Sequence, residues 1–248
     1  MRTGKHCAGA RMAAGLLACV LAASAAAQNP NLRPPTDEER AVLFHYRDAV
    51  HQVIDQEVGD DWQEDPGQHF DIDDDVAVHK APDRPLDIDE MISREYRIRT
   101  GSKLYQEQLA PIIEMAKNAS DPANMARIAK ERKSTHYIVM AHFNVLAAGV
   151  DPPPGMNAPL NVPGAALAYR VKADSALDES VVLLFGDWKS ATWKAGDGVY
   201  RYHFKKPGMY TAVENIVIEL KGAPPRVEEL LRTLDWQKMN EGLAPAKP

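Results

Sequence analysis

His69, Asp71, Asp73, Asp75 and His79 gather hard oxygen donors and two imidazoles in one short acidic stretch, the side chains a metal ion takes as ligands. The Asp-x-Asp-x-Asp start suits a calcium loop. That template then wants Gly at its sixth position and Glu at its twelfth, where this chain has Val76 and Pro82. The expectation is a solvated acidic loop without a high-affinity metal site; a loop wrapped around an ion is the alternative.

Histidines elsewhere are the next chemical candidates. His136 and His142 share one face of an alternating segment with Asn144. At about 3.3 Å per strand residue the two rings stand roughly 20 Å apart, too far to share a metal. His142 and Asn144 are near enough to line one site, against the plainer reading of a hydrogen-bonded structural histidine. His45 and His51 fall about 120° apart around a helix and form no pair.

No nucleophile signature is present: no Gly-x-Ser-x-Gly elbow, Ser-x-x-Lys, His-Glu-x-x-His, Walker A loop or dinucleotide fingerprint. Carboxylate pairs abound, but without geometry they do not specify a glycosidase. The chain is read as leaning away from an enzyme, with no cofactor.

The remaining candidate is a surface. Asp187-Trp188-Lys189 and Thr192-Trp193-Lys194 put tryptophans among charges, and the next strand alternates Tyr200, Tyr202 and Phe204 with Val199, Arg201 and His203. If both faces of the sheet are covered, these rings are core. If a C-terminal helix covers only one face, Trp188, Trp193, Lys194, Tyr200 and Tyr202 form a partner-binding surface of the composition enriched in protein hot spots. The second alternative is the one adopted. The proline-rich loop 151–164 supports it, because a stiff loop loses little entropy on binding.

Several elements must carry these residues. Thr36 and Glu39 make a capping box after Pro34 and Pro35, and Leu43, Tyr46, Val50 and Val53 recur at helical spacing towards an end near Gly59. The pattern dissolves from Asp60 to Pro85, apart from a short strand at Val76–His79. It returns as helical segments over Asp87–Arg99, over a stripe from Leu104 to Ala116, and after an Asp121-Pro122 cap; the sequon at Asn118 reads as a helix end. Near Thr135 the period changes to two, with Tyr137, Val139, Ala141, Phe143 and Val145 on one side. Further strands follow at Ala166–Lys172, Val181–Trp188, Val199–Lys205 and Thr211–Leu220, joined by turns such as 195–198 and 206–208. Pro224-Pro225 starts a final helix striped with Val227, Leu230, Leu231 and Leu234. The expected fold is α+β: N-terminal helices, in a mainly helical region 28–134, beside a mostly antiparallel five-stranded sheet. Residues 135–240 supply the sheet and the C-terminal helix, and 241–248 a frayed tail.

Both cysteines, Cys7 and Cys19, fall in Met1–Ala27, where Arg2, Lys5 and Arg11 precede an apolar run, Met12–Ala23, and a small-residue cut before Gln28. This reads as an export signal, leaving a cysteine-free chain that suits a bacterial periplasm. A lipoprotein anchored through Cys19 is the alternative. The formal charge of −6 becomes more negative once that basic segment is lost, which argues against nucleic acid or anionic lipid as the main partner. The functional expectation is a soluble, periplasmic, non-enzymatic protein that captures another envelope protein, as an inhibitor or immunity factor does. An envelope hydrolase or metal-dependent enzyme is one alternative. An accessory protein of envelope assembly or transport is another.

Overall fold

In the computed structural model Thr36 caps helix α1 (Asp37–Ile54) reciprocally. Its hydroxyl accepts the Glu39 amide, and the Glu39 carboxylate accepts the Thr36 amide at 2.7 Å. The structure describes residues 31–56, 59–65, 67, 69–88, 90–117, 121–131, 134–149, 160–171, 178–188, 192–194 and 199–243. The expected export signal, the sequon, residues 151–159 of the proline-rich loop, the turn at 195–198 and the tail from residue 244 lie outside them.

Asn31–Pro248 forms one compact unit around a six-stranded antiparallel sheet. Its strands are β2 (Trp62–Glu64), β5 (Ile92–Ile98), β6 (His136–Phe143), β8 (Leu167–Val171), β9 (Glu179–Gly186) and β12 (Asn215–Gly222), in the order β2-β5-β6-β12-β9-β8. Two three-stranded sheets accompany it. One joins β1 (Leu32–Arg33), β3 (Val78–His79) and β4 (Asp87–Ile88); the other joins β7 (Ala147–Gly149), β10 (Thr192–Lys194) and β11 (Val199–Arg201). The helices after α1 are α2 (Ala110–Lys117), entered through a π-helical turn at Tyr105–Leu109, then α3 (Pro122–Glu131), α4 (Pro224–Thr233) and α5 (Lys238–Leu243).

The α+β class is as the sequence implies; strand membership differs. The segment Asp87–Arg99, expected as helix, is mostly β5. Ile92, Tyr96 and Ile98 alternate onto the inner face, and the position between them is Arg94, only 4% exposed. A charged residue at an inward site breaks the apolar alternation, so the local pattern reads as helical. β5 and the edge strand β2 raise the large sheet to six strands. The candidate at Val199–Lys205 belongs to a small sheet instead.

One face of the large sheet carries the main core. Tyr137, Val139, Ala141, Ile216, Ile218, Leu183 and Phe185 meet Leu43, Val50 and Val53 of α1, Val227 and Leu230 of α4, and Trp236. A second cluster lies on the other face, where Tyr169, Val182, Leu184 and Val217 are covered by Ala148, Trp188 and Tyr202, with Tyr200 half-buried against them. Both faces are therefore covered at the β8–β9–β12 end, and this corrects the expected aromatic surface. Trp188 is 1% exposed, with its indole N–H donating to Phe185 O, and Tyr202 is 2% exposed. Trp188 is closed to a partner and Tyr202 nearly so, since each contributes large apolar area that a covering layer removes from water.

Candidate functional site

Trp188 and Tyr202 meet edge to face with centroids 4.9 Å apart. The Tyr202 hydroxyl donates to Glu214 O, and burial together with the Glu214 charge pushes its pKa up to about 12, so it stays a donor. In β10 the backbone sets Trp193 opposite Tyr200 and Lys194 opposite Val199; the side chains of β10 lie outside the described set. Of the expected surface, the structure thus brings Trp188, Tyr200 and Tyr202 together, but as packing.

What that packing supports is a cleft. Tyr202 forms part of one wall of a half-open cavity of about 710 Å³, and the facing wall is α1, which presents Ala41, Val42, His45 and Tyr46. These positions recur at i, i+3 and i+4, so one helical face lines the cavity, and it shares Tyr46 with the neighbouring face that enters the core. Met209, 47% exposed, stands at the rim with Lys206. The walls are mostly apolar, and the turn beside them is fixed by charge. The Glu214 carboxylate accepts the backbone amides of Lys205 and Lys206 at 2.8 and 2.7 Å, and Lys205 Nζ pairs with Asp187 at 2.7 Å. Asn144 locks the same turn from beneath. Its side chain accepts the Glu214 amide at 2.8 Å and donates to Leu86 O and Ala212 O. Sequence reasoning missed this cleft because its two walls are far apart in the chain.

Part of the acidic segment, expected as a solvated loop, gathers around a cationic side chain of the chain itself. His51 bridges Asp55 and Asp71 at 3.2 Å each, Arg94 donates to Asp71 at 2.9 Å, and His69 meets Glu64 at 2.8 Å. The guanidinium of Arg94 is the positive charge at the centre of this group. Asp73 and Asp75 are turned away, with the Asp75 amide bound to Asp73, and His79 pairs into β3 opposite Leu32. Among the described residues no group of three or more His, Cys, Asp or Glu converges as a metal site.

This group makes stability depend on pH. The hydrogen bond to Asp55 raises the His51 pKa; burial and Arg94 oppose the rise, and Asp71 adds to it. Burial disfavours ionised Asp71, but the Arg94 hydrogen bond and the His51 charge outweigh it and leave the carboxyl below its ordinary value. The His51 contribution is therefore complete below the unfolded histidine pKa of about 6.5 and disappears as pH rises through the higher folded value. The Asp71 contribution is present above about pH 4 and is lost as pH falls through the depressed folded value. Melting temperatures of wild type and His51→Gln should differ most near about pH 5–6 and converge towards about pH 8. A difference that is constant across that range would refute the assignment.

A third place has polar walls. Arg84, Asp87, Glu90 and His142 line a cavity of about 330 Å³. Arg84 donates to Asp87 at 2.9 Å, and His142 lies 4.0 Å from Glu219. Burial holds the His142 pKa below the ordinary histidine value, against the pull of Glu219, so the ring is neutral near neutral pH. His136, on the same strand, does not line this cavity. Asn144 does not join His142 in a site either: it is fully buried and bonded to backbone.

No protein-family model matches the chain, and comparison with curated proteins and with solved structures gives no significant match.

Proposed function

We propose that this chain is an exported, non-enzymatic binding protein of the cell envelope, and that it captures a partner protein in the cleft between α1 and the 205–214 turn. The observation that carries this reading is the cleft itself. Its volume of about 710 Å³, its apolar walls and its charged, firmly tied rim suit an apolar side-chain anchor surrounded by polar contacts. Met209 at the mouth adds an adaptable apolar contact. Among the described residues no helix is long and apolar enough to cross a membrane.

A photo-crosslinking amino acid at Met209 should join the exported protein to one discrete partner in intact cells. Ala41→Trp, which places an indole in the cleft, should abolish that product while shifting the melting temperature by less than about 2 °C, since Ala41 is exposed and packs on nothing in the core. Crosslinking that survives Ala41→Trp would refute the cleft as the site. The polar cavity around His142 favours a second reading, an envelope hydrolase with His142 as its base. An activity found in the purified protein and lost in His142→Ala would establish that reading instead.

A further inference from the structure

We propose that residues 244–248, Ala-Pro-Ala-Lys-Pro, lie in the cleft between α1 and the 205–214 turn, and that a partner must displace them to enter. This is a regulation of that same site and rests on reading the cleft as a binding site. Helix α5 delivers the chain there. Met239 is fully buried, the Asn240 side-chain amide donates to Gly164 O, and α5 packs along α1, so its last turn is held in place. Leu243, which ends the helix, is itself part of the cleft wall. The next five residues therefore start at the cleft. At about 3.1 Å each in an extended polyproline conformation they reach roughly 16 Å, enough to run along it.

The chemistry of the segment suits the walls. Pro245 and Pro248 have no N–H to satisfy, and the two alanines add no polar side-chain atom, so the segment can leave water with few orphaned donors. Extended proline-containing segments dock on aromatic surfaces. The α1 wall offers one, where the exposed His45 ring meets Tyr46 edge to face at 5.3 Å, and Met209 adds an apolar contact at the rim. Charge agrees. Lys247 is the one charged residue of the segment. Of the lining carboxylates, Asp187 is held by Lys205 and Glu214 by two backbone amides, whereas Glu38, in the first turn of α1, has no ionic partner among the described residues. A tether this short supplies an effective concentration in the millimolar range, so contacts too weak to hold a free peptide hold this one.

The test is a benzoylphenylalanine photo-crosslinker at Met209, irradiated in the purified protein with no partner present. Mass spectrometry of the digest should find it joined to residues 244–248 of the same chain. The same label at Phe70, which is 56% exposed and does not line the cleft, should not reach them. Ala41→Trp should lower the yield of the Met209 link severalfold. Should that variant melt early, Pro245→Gly with Pro248→Gly decides: it changes no residue of the folded core and should lower the yield severalfold too. In cells, a chain stopped after Leu243 should give more of the Met209 product with its partner. A Met209 link to 244–248 no stronger than that from Phe70, a yield indifferent to these variants, or a link that forms only between two copies overturns the proposal. The two readings fail separately. A missing segment link, with a partner product unchanged by the truncation, removes this proposal alone; a segment link with no partner product removes partner capture alone.

Discussion

Asn144→Ala should lower the stability of this protein by about 4 kcal/mol, close to 10 °C in melting temperature for a unit of this size. The side chain is fully buried and makes three hydrogen bonds, to Leu86 O at 2.6 Å, Ala212 O at 2.9 Å and the Glu214 amide at 2.8 Å. Each backbone group abandoned in the interior costs about 1–3 kcal/mol, because water cannot replace the lost partner. Asn144 also has φ +49°, a left-handed conformation that asparagine tolerates better than alanine. Asn144→Gly should therefore be milder by about 1 kcal/mol, having lost the same bonds without the backbone penalty. Asn144→Asp should be as damaging as alanine, since a carboxylate oxygen would then face two carbonyls. Thermal melts of the three variants give the order directly. Equal melting temperatures for wild type and Asn144→Ala would show that the 205–214 turn is held by Glu214 alone.

Arg226→Ala should cost about 3 kcal/mol. This arginine starts the helix that lies over the sheet, yet it is only 5% exposed. It donates to the Tyr137 hydroxyl at 3.1 Å and to Glu229 at 2.7 Å, and its guanidinium lies over the rings of Tyr137 and Trp62, 4.8 and 5.6 Å from their centroids. Tyr137 is itself stacked on Tyr96 at 4.6 Å, so the arginine closes a column of rings on the inner face of the sheet. Truncation leaves a buried hydroxyl without its donor, removes two cation–π contacts and opens a cavity beside Trp62. Glu229 is well exposed and adds little to the loss. Arg226→Met should recover about 1 kcal/mol of the deficit, because the methionine fills space without satisfying Tyr137. Denaturant melts separate the outcomes: if Met and Ala variants are equally unstable, the hydroxyl and the charge matter and the volume does not.

What the sequence by itself determined are the elements whose signals are local. The capping box at Thr36 and Glu39, the α1 stripe, the alternation from Tyr137 to Phe143 and the proline start of α4 all occur in the structure within a few residues of where the pattern places them. Each rests on neighbours in the chain: a side chain reaching its own helix start, or a period of two or 3.6. The tertiary structure decided the rest. β5 reads as helix until the fold supplies Asp71 and His51, from 23 and 43 positions away, to hold Arg94 inside. Trp188 and Tyr202 read as surface until β7 and β11 cover the second face of the sheet, because a ring beside charges looks the same in sequence whether or not another layer lies over it. The cleft, likewise, exists only once α1 is laid against a turn more than a hundred and fifty residues further along. Local patterns fix which face of an element is apolar, while the layer that meets that face is chosen by long-range packing, which leaves no periodic trace in the chain.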